Sequence, residues 1–480
     1  NGGLVVNTKS GKTEVGFRTF GGNDVVIAGS KANIDVDRDL NLGGGDDQLR
    51  VLGEIKVGTD FIAGSGNDFI SSEFGSSFVV ENNLELGDGR DRFVSRGQTI
   101  INGKLVAGPG NDVIEVRGES PVGYGVIDVG GHVELGDGDD IFLLKSPLEQ
   151  SVVKKKLNLG SGDDVLDIRL KGTHLDVGIE SDRMDKNFNI NFETGNDKLI
   201  NGGRITTGWG IVFNGGDINS GQSDWGDLIE NKKDAFISTY AGINLENSGR
   251  GVIDNSGVIE VGLDIENGRR IVFGSGDDQL INRGSGTINV VGNIQMGKGD
   301  DLVENYGDLY ASKGIEMGPG DDLFRFTGRG LNIDATYLVN GEQGNDSLLL
   351  NDIEISDAFA SDFDASQELP SGRQLIVASD LADRFVGFEN LVQEKGVFAY
   401  RGDFSKNFEV VTLRDGSFIA TESSPAIFDT LRLEKDATIY VGMINATEDE
   451  IDQAPIVVNS TDVNRGFIYE GGEFVISADR

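Results

Sequence analysis

The sequence predicts an all-β fold: a right-handed parallel β-helix, or solenoid, with coils of about 22 residues and one Gly-x-Gly-Asp/Asn-Asp turn per coil. Three observations carry this. A phrase such as Gly274-Ser275-Gly276-Asp277-Asp278-Gln279-Leu280 returns along most of the chain. Its last acid falls at Asp24, Asp47, Asp68, Asp91, Asp112, Asp140, Asp164, Asp197, Asp227, Asp278, Asp301, Asp322 and Asp346, with most gaps between 21 and 24. Around each mark, apolar residues alternate with polar ones, as half-buried strands require.

Each part of the coil follows from that frame. Pairs such as Leu40/Leu42, Leu84/Leu86 and Ile315/Met317 flank a polar residue and form a strand that points inward twice. The glycines that follow let the backbone take positive φ and turn sharply. Two residues after the Asp the side chain is always apolar, as at Leu49, Phe93, Leu280, Val303 and Phe324. The remaining text, such as Thr287-Ile288-Asn289-Val290, has room for a further strand.

The frame is most regular from about residue 20 to 170. It loosens over 171–275, where gaps of 33, 30 and 51 imply inserted loops, for example at Ser181–Lys186, and one coil without the phrase. It returns over 271–350. Residues 1–350 are therefore expected to form the repeat β-helix. Residues 351–480 continue it with irregular turns, or form a small β domain.

Composition narrows the function. Forty-two basic residues against 80 acidic ones give a net charge of −38. That disfavours nucleic acid or an anionic membrane as main partner and permits cations. With no cysteine, disulfides and thiolate metal sites are excluded. The first residues do not read as a signal peptide, and no apolar run is long enough to span a bilayer as a helix. The expectation is an exported segment separated from its anchor.

The acids of the turn have two readings. Asp and Asn can accept hydrogen bonds from nearby backbone N–H groups, which needs no ligand. Stacked coils would also set carboxylates about 5 Å apart, where like charges repel by about 1 kcal/mol even in water. Oxygen-rich turns suit a hard cation of calcium's size. The candidate calcium column is Asp47, Asp68, Asp91, Asp112, Asp140, Asp164, Asp278, Asp301 and Asp322. The acids are expected outside and the aliphatics within. A second column, Asn201, Asn231, Asn282 and Asn305, is expected to form an amide ladder.

Two resemblances follow. Segments 159–167 (Leu-Gly-Ser-Gly-Asp-Asp-Val-Leu-Asp) and 63–71 resemble the calcium-binding nonapeptide of RTX, or hemolysin-type, proteins, which implies a ligand role for Asp164 and Asp68. Here the phrase occurs once per longer coil, whereas RTX repeats run in tandem. The whole chain resembles the passenger of a bacterial autotransporter adhesin. Segments that carry this likeness are Glu246-Asn247-Ser248-Gly249, Asp254–Ile259, Glu304–Leu309 and Val386-Gly387-Phe388-Glu389-Asn390-Leu391. The resemblance implies a non-enzymatic cell-surface protein that binds a host-cell or bacterial receptor, protein or glycan, or its own kind. A calcium-binding surface-layer or matrix protein is the alternative. A polysaccharide lyase or epimerase is a further one, although His132 and His174 fall at different coil positions.

Other motifs have ordinary readings beside functional ones. Arg401-Gly402-Asp403 spells an integrin-binding tripeptide but sits where a strand meets a turn. Lys154-Lys155-Lys156 reads as a solvated strand edge. Asn445-Ala446-Thr447 and Asn459-Ser460-Thr461 match the glycosylation sequon. Trp209 and Trp225 serve either packing or a partner.

Overall fold

The computed structural model describes residues 11–13, 16–118, 125–147, 150–179, 189–215, 226–262, 270–329, 338–354, 374–395, 397–421, 426–442, 456–458, 467–470 and 473–477. The expected loop at 181–186, both sequons and Trp225 lie outside these residues. Two compact units divide the chain, Asn1–Gly274 and Ser275–Arg480. Each is a parallel β-solenoid.

One coil of the first unit shows how the sequence makes the fold. Gln48–Val51 forms the first face, Glu54–Val57 the second and Phe61–Ser65 the third. Each strand pairs in parallel with its counterpart one coil on: Gln48 with Phe69, Glu54 with Ser77, Phe61 with Leu84. The alternation puts Leu49, Val51, Ile55, Val57, Phe61 and Ala63 inside, all essentially inaccessible. Aromatic side chains fill the wider parts of the core. Phe61 meets Phe78 edge-on at 5.6 Å between ring centroids, and Phe192 stacks on Phe213 at 4.4 Å.

Irregular spacing leaves the register intact. The 33-residue gap is absorbed between His174–Val177 and Ile190–Phe192, yet Leu166 still pairs with Leu199. The 51-residue gap contains a coil in which Asp227 pairs with Gly251 and Asn231 with Asn255. That coil lacks the acidic phrase but keeps its strands.

In the second unit, Leu280, Val303, Phe324, Leu348, Leu391, Val411 and Leu431 are successive partners on one face. Residues about one coil apart in sequence are thus vertical neighbours. The parallel pairing runs on beyond residue 350, through Asn390–Lys395, Val410–Thr421 and Thr430–Gly442. A five-residue helical turn, Ala378–Ala382, interrupts the strands.

The amide ladder forms at the end of the first face. Asn201 Nδ2 donates to Asn231 Oδ1 at 2.9 Å, and Asn231 Nδ2 to Asn255 Oδ1 at 2.8 Å. In the second unit Asn282 donates to Asn305 at 2.8 Å. All five side chains are buried, so each bond also removes a polar group that would otherwise be stranded in the core.

The glycines of the acidic turn are fixed by two constraints. Gly110 has φ +146°, and a Cβ there would lie 1.4 Å from the carbonyl oxygen of Gly89 in the coil below. Gly75, at another corner, has φ +74° but open space around it. Gly75→Ala is expected to cost about 1–2 kcal/mol, the left-handed strain alone. Gly110→Ala is expected to cost at least about 2 kcal/mol more, because the backbone below must move. Urea unfolding of the two variants checks the difference.

Candidate functional site

The acidic turn joins the third face of one coil to the first face of the next. Its two glycines, such as Gly43 at φ +102° and Gly45 at φ +119°, swing the chain so that the final Asp points inward. This corrects the expectation that both acids lie outside. The marked aspartates from Asp47 to Asp346 are all at most 2% exposed, while the residue before each, Gly226 apart, is exposed or half-exposed.

Burial is made possible by a hydrogen-bonded ladder. The backbone N–H of each Asp donates to Oδ1 of the Asp one coil on. In the first unit the chain of bonds runs from Asp24 through Asp47, Asp68, Asp91, Asp112, Asp140, Asp164 and Asp197 to Asp227, at 2.7–2.9 Å. In the second it runs from Asp278 through Asp301 and Asp322 to Asp346, at 2.8–2.9 Å. The Asp346 N–H then donates to Glu389 Oε2 at 2.7 Å. Glu389 therefore occupies the Asp position of one further rung. The sequence carried a signal for it: Gly387 lies two residues before and Leu391 two after, the same frame as every other copy except that of Asp227.

A second ladder runs beside the first in the opposite sense. The exposed residue before each buried Asp accepts from the N–H of its counterpart one coil on. Asp46 N–H donates to Asn23 Oδ1 at 3.0 Å, Asn67 N–H to Asp46 at 2.8 Å and Arg90 N–H to Asn67 at 2.9 Å. Arg90 has no acceptor. Among the described bonds the series stops there and resumes at Asn111, which accepts from Asp139 N–H at 3.2 Å. The same pattern links Asp277, Asp300, Asp321 and Asn345.

The two ladders differ in composition. The outer one uses Asn and Asp interchangeably: Asn23, Asp46, Asn67, Asn111, Asp139, Asp163. The inner one has Asp at every one of the thirteen marks. An amide oxygen would accept the same N–H, so the hydrogen bond does not explain the choice of a carboxylate.

The second carboxylate oxygen sharpens the point. Oδ2 of Asp47, Asp68, Asp91, Asp112, Asp140, Asp164, Asp197, Asp301, Asp322 and Asp346 is buried without a hydrogen-bond partner. Where the ladder breaks, Asp227 Oδ2 instead accepts from the Ser248 hydroxyl, a residue supplied by the coil that lacks the phrase.

Burial is the main force on these groups. It lifts the Asp68, Asp112, Asp140 and Asp322 carboxyls to about 7 and those of Asp164, Asp197 and Asp301 to about 8. The N–H bond from the neighbouring rung pulls each one down, and adjacent carboxylates push it up again. Asp47 and Asp91 are raised by the same burial.

The donor set fits a hard cation. All donors are oxygen, with an orphaned carboxylate oxygen on each of the ten rungs named above. Among the described residues no three His, Cys, Asp or Glu side chains cluster around one point, so a bound ion would complete its shell from backbone carbonyls and water.

The remaining candidates lie elsewhere. His132 sits half-buried at the corner between the second and third faces, whereas His174 starts a second-face strand, and the two are not brought together. The Asp403 carboxylate is tied to Ser405 Oγ at 2.5 Å and Lys406 Nζ at 3.0 Å, beside the short helix Phe404–Lys406. Those bonds give the Asp of the Arg401-Gly402-Asp403 tripeptide a structural job.

Comparison with known proteins adds little. No family model matches the chain, and no curated protein matches it. A solved structure, a hyperactive, Ca2+-dependent, β-helical antifreeze protein from an Antarctic bacterium, aligns at 17% identity and a TM-score of 0.37, covering 81% of this chain and 96% of that one.

The raised carboxyls set a pH dependence. Each holds its proton above the ordinary 3.8 in the folded state, so stability is complete below about pH 4 and is lost as pH rises through 7 to 8. In EDTA the melting midpoint is expected to fall over this window. Asp140→Asn keeps the Oδ1 acceptor and removes one ionisation, so its midpoint should fall less steeply. A midpoint that rises from pH 5 to 8 in EDTA would contradict the burial argument.

Proposed function

We propose that this chain is the passenger segment of an extracellular bacterial adhesin, a non-catalytic β-solenoid stiffened by calcium along its acidic turns. The observation that carries the calcium reading is the inner ladder. Its carboxylates are retained at every mark although an amide would serve the N–H, and ten of them, from Asp47 to Asp197 and from Asp301 to Asp346, have a second oxygen without a hydrogen-bond partner. A divalent cation between rungs supplies what those oxygens lack and offsets the repulsion between them. Residues Asp47, Asp68, Asp91, Asp112, Asp140 and Asp164 in the first unit, with Asp278, Asp301 and Asp322 in the second, are the ligands in this reading.

The extracellular assignment follows from the same chemistry. Calcium sites outside cells work at about 0.1–1 mM, a range that weakly shared carboxylates can exploit. The absence of cysteine, the strong negative charge and the long ordered repeat agree with a surface-displayed scaffold. Among the described residues no helix is long and apolar enough to cross a membrane. Binding to a host-cell or bacterial surface receptor is then the work of the exterior faces and corners.

Calcium should raise the melting midpoint at pH 8, where the carboxyls are ionised, far more than at pH 5, where protons already occupy them. Scanning calorimetry in EDTA and in millimolar calcium measures this. An equal midpoint in both at pH 8 removes the metal. Purified chain should also bind to cells and remain monomeric in sedimentation with calcium. Assembly into sheets on adding calcium would favour the surface-layer alternative instead.

A further inference from the structure

The ladder of buried carboxylates ends differently from the way it runs. In the second unit its last Asp is Asp346, and the turn on the next coil has another build. Asn340 pairs with Val386, so the two turns start level. Asp346 comes six residues after Asn340, as Asp322 comes six after the partner residue Glu316. Glu389 comes only three after Val386. The turn over Asp346 is therefore three residues short and lacks the Gly-x-Gly path. Phe388, buried and edge-on to Phe385 at 5.9 Å between ring centroids, pins it. The longer side chain of Glu389 makes up the missing reach, and its Oε2 accepts the Asp346 N–H at 2.7 Å.

A second departure lies on the rung of Asp346 itself. The place five residues before the buried Asp points inward, and on the two preceding coils it holds Met296 and Met317, both inaccessible. Here it holds Gly341, which sits between the pairs Glu316/Asn340 and Gly318/Glu342. Oxygen takes the place of the missing side chain. A Cβ on Gly341 would lie 2.3 Å from the Gly387 carbonyl oxygen and 2.5 Å from Asp346 Oδ2. The two oxygens thus converge beside Gly341, no farther apart than those two lengths together. Calcium binds oxygen at about 2.3–2.6 Å, so one ion can bridge such a pair.

These oxygens are suited to the task. Asp346 is fully buried; its Oδ1 accepts the Asp322 N–H at 2.9 Å, and its Oδ2 has no hydrogen-bond partner. Burial lifts its carboxyl to about 6 against the pull of that N–H, and the charges of Glu389 and Asp321 lift it further. Glu389 is half-exposed and Gly387 exposed, which leaves a way in for an ion with its water. The rungs of Asp301 and Asp322 have neither a glycine at the inward place nor a shortened turn on the next coil.

We propose that Asp346 Oδ2, the Gly387 carbonyl oxygen and the Glu389 carboxylate form a discrete calcium site that closes the ladder, with water completing the shell. It goes beyond the shared column, whose ligands it does not use, and it binds calcium whether or not the column does. Two carboxylates and a fixed carbonyl make it the tightest site of the chain, since affinity rises with ligand charge and rigidity. Its effect is local. It ties the turn of residues 339–347 to that of 385–391, where the repeated phrase gives way to irregular coils.

The test is isothermal titration of the EDTA-stripped full chain with calcium at neutral pH. One ion per chain should bind at least tenfold more tightly than any that follow. Magnesium should bind this site at least tenfold more weakly, because it needs a closer octahedral shell and keeps its water. Glu389→Gln retains an oxygen for the Asp346 N–H and removes the charge. It should weaken the tight event at least tenfold, with circular dichroism in EDTA confirming the fold. Gly341→Ala, which puts a methyl against both converging oxygens, should weaken it likewise. Asp308→Asn removes an exposed acid from another face of the same unit and should leave the tight event as it is. A tight event that survives Glu389→Gln overturns the site. Weak binding of many ions with no tight event overturns it and spares the column. A single tight event lost in Glu389→Gln, with no further calcium bound, supports the site and removes the column.

Discussion

The structure depends on one unsatisfied backbone group per coil. Where the acidic turn bends through its two glycines, the N–H of the final Asp points along the stack with no strand partner of its own. The carboxylate of the next coil accepts it. This bond requires the next Asp to sit directly above, which requires the next turn to have the same shape, which requires glycine where a Cβ would strike the carbonyl below. The repeat in sequence is thus the record of a contact between neighbours rather than of a preference within each coil. Insertions obey the same logic. Residues added between Arg117 and Val126 stretch one coil to 28, yet the bond from Asp112 N–H to Asp140 remains 2.7 Å. The chain varies its length at the other corners, away from the acidic turn.

Most of the architecture was legible because stacking converts sequence period directly into spatial register. The partners of Leu280, Val303 and Phe324 followed from counting alone. The amide column was legible for the same reason, although Asn255 escaped because its coil carries no acidic phrase to count from. The burial of the inner Asp was not legible. Sequence shows an acid beside glycines at a turn, which ordinarily means solvent, and only the backbone path at φ near +100–150° turns the side chain inward. Glu389 was missed for a related reason. Its letters read as Glu, but its place between Gly387 and Leu391 makes it the equivalent of an Asp, with a longer side chain reaching the same N–H.

The two ladders together explain why the turn needs two polar residues in succession. The buried Asp accepts from the coil before it and the exposed Asx from the coil after it. Each rung is therefore tied in both directions at one corner. The exposed member is screened by water, so its charge is of little consequence and Asn and Asp alternate freely. The buried member is not screened, so its charge is expensive. A buried carboxylate with one oxygen unbonded holds its proton more tightly, and the cation proposed above would offset the same cost.

The break at Asp227 shows what kind of compensation the interior rungs can accept. There the following coil has Gly251 in place of the Asp, and Ser248 reaches Asp227 Oδ2 with a hydroxyl. The interior rungs do not copy that solution. The equivalent place, three before the buried Asp, holds Ser65 and Ser161, each between two glycines at positive φ, and the Ser161 hydroxyl donates outward to Asp137 Oδ1 at 2.6 Å. Compensation of the kind proposed above, a proton in acid or a cation at neutral pH, would then come from outside the chain.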